Sequence, residues 1–324
     1  MKEKHLLQLD VLIQGNNLPL QQIPACPALE KLLGLATLSP PQEKTFSQWL
    51  LQSFGLPAGV AAPHSALGHG LPAQQGYWLR ADPVYLHLMR DRIILPQPVV
   101  DDLSAEETQA LVQTLNAHFT ELHFYAPHPQ RWYVHTATPQ QIITREPEQV
   151  VGQDIRPNMP QGADGKVWVG RLNEVQMLLH QHRVNEAREA VGKLPVNGLW
   201  LWGGGGWQGP AIKPYERCWG DDPLLAGVAI DSTSPLPMDL QSCLRYPAEN
   251  QLLLLDERLS WEVLEQSFFA PLLKALKAKH LQTLRLLFAY QGKVVTCTIH
   301  GKDMWKFWRS AKGVNALFKE GQQK

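Results

Sequence analysis

The stretch HRVNEAREAVGKLPVNGLWLWGGGG, His182 to Gly206, reads as the end of a helix, a tight turn and a buried strand that empties into four glycines. Val184, Ala187 and Val191 recur at helical spacing. Gly192 is a natural helix terminator, because it enters the left-handed region without steric cost. Pro195 forbids continuation. Leu199, Trp200, Leu201 and Trp202 then form a short apolar run, as expected of a strand covered on both faces. Gly203 to Gly206 follow where that strand should end. Ligands gather beyond the carboxyl ends of strands in open α/β sheets, so this segment is the first place to look for a site.

The 324 residues allow one large domain or two small ones. Thirty basic and thirty acidic side chains cancel, so no global field draws the chain to nucleic acid or an anionic membrane. Cys26, Cys218, Cys243 and Cys297 lie far apart without paired spacing. That excludes a zinc knuckle or disulfide framework and points to buried free thiols in a reducing compartment. The N-terminal apolar run is short, interrupted by Asp10 and followed by no small-residue cleavage site, and no run is long enough to span a bilayer. A cytoplasmic protein without membrane contact is expected.

Outward from the central stretch, residues 5–14 predict a first strand, and Thr45 to Phe54 a helix ended by Gly55. Residues 56–76 are rich in small residues, proline and glycine and predict a loop. Ser65 lies there between His64 and His69, but no third group marks a catalytic triad. Residues 77–95 predict strands in succession. Ser104 with Glu107 predicts a reciprocal capping box that opens a helix to Phe119. Together 77–136 predict an α+β lobe on a single α/β unit spanning 1–324. Residues 170–191 predict one helix, Gln251 to Leu255 a buried strand, and Ser260 to Lys279 a helix bent at Pro271. A hairpin turns at Gln291-Gly292. A last helix carries Trp305 and Trp308 among Lys302, Lys306, Arg309 and Lys312. It reads either as an amphipathic helix docked by its tryptophans or as a surface for single-stranded nucleic acid.

The four glycines lack the lysine and hydroxyl of a P-loop, and no helix follows them as in a dinucleotide fingerprint. Close backbone packing and a ligand role both remain open for them.

The central stretch resembles the archaeal-type cofactor-independent phosphoglycerate mutases, whose segment is close to H-P-V-N-x-x-R-x-x-x-G-x-x-P-A-N-x-I-W-L-W-G. His182, Val184, Asn185, Arg188, Gly192, Pro195, Asn197, Trp200, Leu201, Trp202 and Gly203 keep that pattern, while Arg183, Val196 and Leu199 depart from it. DDPLLAGVA at 221–229 adds to the likeness. Over its whole length the chain is similar to bacterial RpfE-type regulatory proteins, through WLRADPVYL at 78–86 and the WLWGGG run.

The resemblance implies an alkaline-phosphatase-like fold, an α/β sheet flanked by helices with an inserted α+β lobe. It also implies chemistry that needs two metal ions, held by aspartates and histidines, and a serine that takes the phosphoryl group. The family's Asp-x-x-x-His and Asp-His-Ser patterns are missing. Asp256-Glu257-Arg258 stands where the first would fall and CTIHGKD, 297–303, where the second would. Asp10 is the candidate for a first ligand. Ser65 is the candidate nucleophile, with Ala66 in place of the aspartate expected beside it.

The expected function is therefore a non-catalytic regulatory or ligand-binding protein on a phosphoglycerate-mutase-like scaffold, with no catalytic residue, metal or cofactor. The alternative is an active metal-dependent mutase or phosphatase with rearranged ligands. Asn185, Arg188, Asn197, Trp202, Gly203 and Gly204 are the candidate binding residues, for a small anionic ligand or a protein partner, since arginine pairs naturally with carboxylate and phosphate. Asn185 and Arg188 have a second reading, in which they lock the helix–strand turn through backbone carbonyls.

Overall fold

Leu9, Val11 and Ile13 point to one side of the strand Leu6–Gln14, Asp10 and Leu12 to the other, and all five are buried. A strand covered on both faces belongs inside a largely parallel sheet. The computed structural model puts it there. The structure describes residues 6–14, 22–246, 248–256, 258–306 and 308–318. They fall into two compact units, 1–54 with 210–324 and 55–209. From sequence, one unit with a lobe at about 77–136 is expected; that block lies inside the second unit.

The chain opens in the first unit with β1 (Leu6–Gln14), α1 (Pro27–Leu35), the short β2 (Thr37–Leu38) and β3 (Gln42–Glu43), and α2 (Phe46–Ser53). The second unit holds α3 (Ala61–Gly68), β4 (Tyr77–Val84), the short β5 (His87–Leu88) and β6 (Ile93–Ile94), and α4 (Ala105–His118). It continues through β7 (His123–His128), β8 (Arg131–Thr136), α5 (Gly165–His180), α6 (Arg183–Ala190) and β9 (Gly198–Gly205). Back in the first unit come β10 (Arg217–Trp219), α7 (Pro223–Val228), β11 (Thr233–Ser234), α8 (Leu240–Arg245) and β12 (Asn250–Leu255). The helical segment α9 (Trp261–Leu264), a wide turn over Glu265–Phe269 and α10 (Ala270–Lys277) lead to β13 (Leu281–Tyr290) and β14 (Lys293–His300).

In the first unit the sheet order is β11-β10-β12-β1-β13-β14-β2, with β3 also on β14. The strands from β11 to β13 run parallel and β14 returns antiparallel. Gln291 (φ 47°) and Gly292 (φ 72°) make the hairpin turn that the sequence predicts. Leu9, Val11 and Ile13 pack with Leu29, Leu32 and Leu33 of α1 and with Phe268, Phe269 and Leu272. The bend expected at Pro271 takes the form of a wide helical turn. Proline has no N–H to continue the ladder, and the Ala270 N–H bonds back to the Glu265 carbonyl. The Glu265 carboxylate then accepts from Ala28 N (2.6 Å) and Leu29 N (3.3 Å), amides at the start of α1 that Cys26 does not cap. The architecture is an α/β sheet flanked by helices, as expected.

The second unit is built on an antiparallel sheet ordered β7-β8-β4-β9. Leu111 and Leu115 of α4 and Val175 and Leu179 of α5 cover Leu199, Leu201 and Val134. The Ser104–Glu107 capping box forms as predicted. Three readings need correction. Residues 61–68 are helical, not loop: alanines favour the helix, and Pro63 sits in the first turn, where its missing N–H removes no bond. Residues 170–191 form two helices, because the His182 ring accepts from Val184 N (3.2 Å) and starts α6 anew. Val191 is exposed, and α6 buries Asn185 and Arg188 instead of the apolar trio. The third concerns the chain end. Residues 301–305 form only a 3-10 turn, and Trp305 and Trp308 are 75% and 70% exposed, so no docked amphipathic helix exists among the described residues.

Three of the four glycines, Gly203 to Gly205, lie within β9, and the run brings α3 close. A Cβ on Gly203 (φ 66°) would meet Ala61 Cβ at 3.2 Å, and one on Gly205 would meet Val60 Cγ1 at 2.7 Å. Gly205→Ala should destabilise the protein by about 1–3 kcal/mol in urea unfolding, because β-branched Val60 has little room to yield. Gly206→Ala, whose Cβ would find nothing nearer than 3.5 Å, should change stability by less than about 0.5 kcal/mol.

Candidate functional site

Asn185, Arg188 and Asn197 each hold backbone. Asn185 donates to the Leu179 and Val196 carbonyls and accepts from Val196 N, all at 2.8 Å. It thereby ties the end of α5 to the entry of β9. Asn197 bonds both backbone groups of Leu86, accepting from N at 2.6 Å and donating to O at 2.9 Å. Arg188 is 1% exposed. It donates to the Leu194 carbonyl (2.8 Å), to Glu107 Oε2 (2.9 Å) and to Asp102. Two carboxylates thus neutralise the guanidinium from α4 and its approach.

Trp202 donates from Nε1 to Asp82 Oδ2 (2.7 Å), and Arg80 binds Asp82 Oδ1 through Nη2 (2.7 Å). The Arg80 guanidinium lies between the Trp202 ring (4.9 Å) and the Tyr133 ring (5.2 Å). Gly203 lines the α3 seam, whereas a Cβ on Gly204 would strike Leu79 Cδ2 and Tyr77 OH at 2.6 Å. Ser65 is 2% exposed; its Oγ accepts from Tyr133 OH (3.0 Å) and donates to the Ala62 carbonyl (3.4 Å). One turn on, burial and the nearby Arg131 and Arg80 push His69 down to about 4. Its Nε2 is buried and has no partner among the described residues.

The open space around the central turn is a cleft of about 310 Å³ lined by Tyr85, His87, His180, Asn185, Glu189 and Asn197. Tyr85 OH and His87 Nδ1 lie 3.2 Å apart at its wall. His87 and His180 enter the site from sequence positions with no motif to mark them.

In the first unit Asp10 is fully buried in the middle of β1. Oδ1 accepts from Gln8 Nε2 (3.0 Å) and Arg285 Nε (2.7 Å), and Oδ2 from Tyr215 OH (2.6 Å) and Arg285 Nη2. Burial and the adjacent carboxylate push the Tyr215 phenol well above its usual range, which keeps it a donor. Arg285 and Tyr215 are absent from the sequence reading. The visible signal is a charged residue inside the apolar run LRLLFAY, which a buried strand admits only with a partner.

The two-cation site implied by the resemblance can be tested against these donors. A divalent ion needs carboxylate lone pairs. Those of Asp10 already meet four N–H or O–H groups, and a guanidinium stands beside them. Asp256 is bound by Arg258 (2.9 Å) and Asp303 by Lys306 (2.5 Å). Among the described residues no group of three or more His, Cys, Asp or Glu is placed to hold a metal. The described residues do not fit the pair of ions. The four cysteines are buried and free, and burial raises their thiols to between about 11 and about 12. No helix among the described residues is long and apolar enough to cross a membrane.

No family model matches the chain. Part of it is nonetheless related to the cofactor-independent phosphoglycerate mutases. A 2,3-bisphosphoglycerate-independent phosphoglycerate mutase of Methanosarcina barkeri is 30% identical over 122 residues, which cover 36% of this chain and 29% of that enzyme. The matched stretch is thus under a third of the relative's length. The structure titled PH0037 protein from Pyrococcus horikoshii shares the fold, with a TM-score of 0.52 at 14% identity over 91% of this chain and 88% of that one. The cofactor-independent phosphoglycerate mutase of Thermoplasma acidophilum superposes with a TM-score of 0.45 at 16% identity, over 98% of this chain and 95% of that one.

Arg188→Ala should destabilise the protein by about 2–3 kcal/mol at neutral pH, since it removes a buried cation and strands the Leu194 carbonyl. Burial raises Asp102, but its hydrogen bond and attraction to Arg188 outweigh this and hold it below its usual 3.8. A lowered carboxylate adds stability that is full above the unfolded value and fades as pH falls through the folded one. The gap between wild type and Arg188→Ala, followed by urea unfolding, should therefore narrow as pH drops below about 4.

Proposed function

We propose that this chain is a non-catalytic binding or regulatory protein on a phosphoglycerate-mutase-like scaffold, of the kind its likeness to RpfE-type proteins suggests. The observation that carries the reading is the occupied carboxylate of Asp10: the protein's own guanidinium and phenol fill the positions from which it would ligate a cation. Ser65 supports it. A phosphoryl acceptor must reach its substrate, whereas this hydroxyl is buried and bonded on both sides. The ligand we assign is a small anion in the cleft beside Asn185 and Asn197, where Tyr85, His87 and His180 offer hydrogen-bond donors. Glu189 favours a ligand that also carries a donor. A protein partner on the same face is the second form of this reading.

Metal analysis and turnover test it together. After exposure to manganese, zinc or magnesium and dialysis, the full chain should retain only substoichiometric divalent ion. It should neither isomerise phosphoglycerate nor hydrolyse a phosphate monoester. Two retained ions per chain, with a turnover that Asp10→Asn abolishes, would establish the active alternative instead.

A further inference from the structure

Among the described residues the strand β9 has one neighbour, β4, and its other edge opens into a cavity. Pro83 pairs with Leu199 across these strands. The Pro83 carbonyl accepts from Val100 N at 2.9 Å, and proline has no N–H. This is therefore a pair that exchanges no hydrogen bonds, and the Leu199 N–H and C=O face away from β4. Two residues on, Leu201 faces the same way. Both residues are buried, at 4% and 5% exposure. Neither backbone group of either has a backbone partner among the described residues. Buried backbone groups are almost always paired, so four such groups in a row along one cavity are an unfilled hydrogen-bonding pattern.

That cavity, about 140 Å³, lies between α5 and the segment 155–160. Leu86, Ile93, Ile155, Met159 and Leu172 make it apolar, and Asn158, Asn173 and Gln176 stand among them as polar groups. Gly198 also lines it, and a Cβ there would meet Leu86 Cδ1 at 3.1 Å. Donor, acceptor, donor, acceptor at strand spacing, beside an apolar wall, is complementary to an extended backbone carrying apolar side chains.

We propose that this cavity binds a short extended peptide of apolar residues, which adds as a strand to the free edge of β9. Its amides bond the Leu199 and Leu201 carbonyls and its carbonyls their N–H groups, while one side chain enters between Ile155 and Leu172. The site adjoins the cleft at Asn185 and Asn197, with Leu86 lining both, and it stands whether or not the chain turns over phosphate esters.

Blocked tripeptides of leucine, valine and phenylalanine, titrated into the full chain by calorimetry, supply the probe. Binding is expected, with slowed hydrogen exchange at the Leu199 and Leu201 amides and none at Trp200, which faces β4. N-methylation of the first or the third residue's amide, the two that face β9 when the tripeptide meets Leu199 and Leu201, should weaken binding about tenfold or more, because it removes a donor from the ladder. Gln176→Trp, which fills the cavity from its half-exposed side, should abolish binding, while Gln176→Ala should keep it; the circular dichroism of both variants checks folding. Failure of every tripeptide to bind would overturn the proposal. So would binding indifferent to N-methylation, or binding that survives Gln176→Trp.

Discussion

A carboxylate without exposed surface sits at the centre of a parallel sheet, and the first unit is arranged to make that tolerable. Removing an ion of this size from water costs several kcal/mol unless charge and hydrogen bonds replace the solvent. Asp10 obtains both from Arg285, its direct neighbour in the β1–β13 register, and from Tyr215 just before β10. The pairing specifies more than charge. Sliding β13 by one residue would carry Arg285 to the opposite face and leave Asp10 uncompensated, while burying a guanidinium among Leu9, Val11 and α1. Register, strand order and the position of Tyr215 thus hang on one buried anion. The same occupancy removes the lone pairs that a metal would require.

The second unit solves a comparable problem with amides. A helix, a turn and a strand in quick succession leave the carbonyls at the end of α5 and the groups around Leu194 and Val196 without ladder partners. Asn185, Arg188 and Asn197 supply those partners from side chains. This explains why α6 turns a polar face inward and exposes Val191. It also separates two properties of the segment that resembles the mutases. Its polar residues hold the turn, and the cleft beside them is shaped by residues from elsewhere, Tyr85, His87 and His180.

Much of this was legible. An apolar run marked β1, alternation marked the strands after Tyr77, the Ser104–Glu107 pair marked α4, and Gln291-Gly292 marked the last hairpin, because each rests on local chemistry. The misreadings are of another kind. Residues 61–68 look like loop, since small residues carry no periodic signal; their helix exists to fit under Gly203 and Gly205, a requirement set by a strand 140 positions later. Val184, Ala187 and Val191 form a proper helical stripe, yet the buried face is chosen by backbone groups that need partners. Tyr215 and Arg285 are distant in sequence from Asp10, and nothing local announces that they meet.

Acids inside or beside a buried sheet pose a definite electrostatic question, which is what balances them. One answer is to replace the acids by neutral residues. In this chain Asp10, Asp256 and Asp303 are present, and each is matched to a cation of the protein: Arg285 across the sheet, Arg258 two residues on, Lys306 three residues on. The Asp256–Arg258 pair is local and largely solvated on the arginine side, and such pairs add little stability. Asp303 and Asp10 are both buried against half-exposed cations, and Asp10 is the one that lies inside a strand of the sheet. Inside a strand covered on both faces Asp10 has no solvent to balance its charge, and Arg285 does so instead. Arg285 is therefore the residue through which this sheet is stabilised by the protein's own charges.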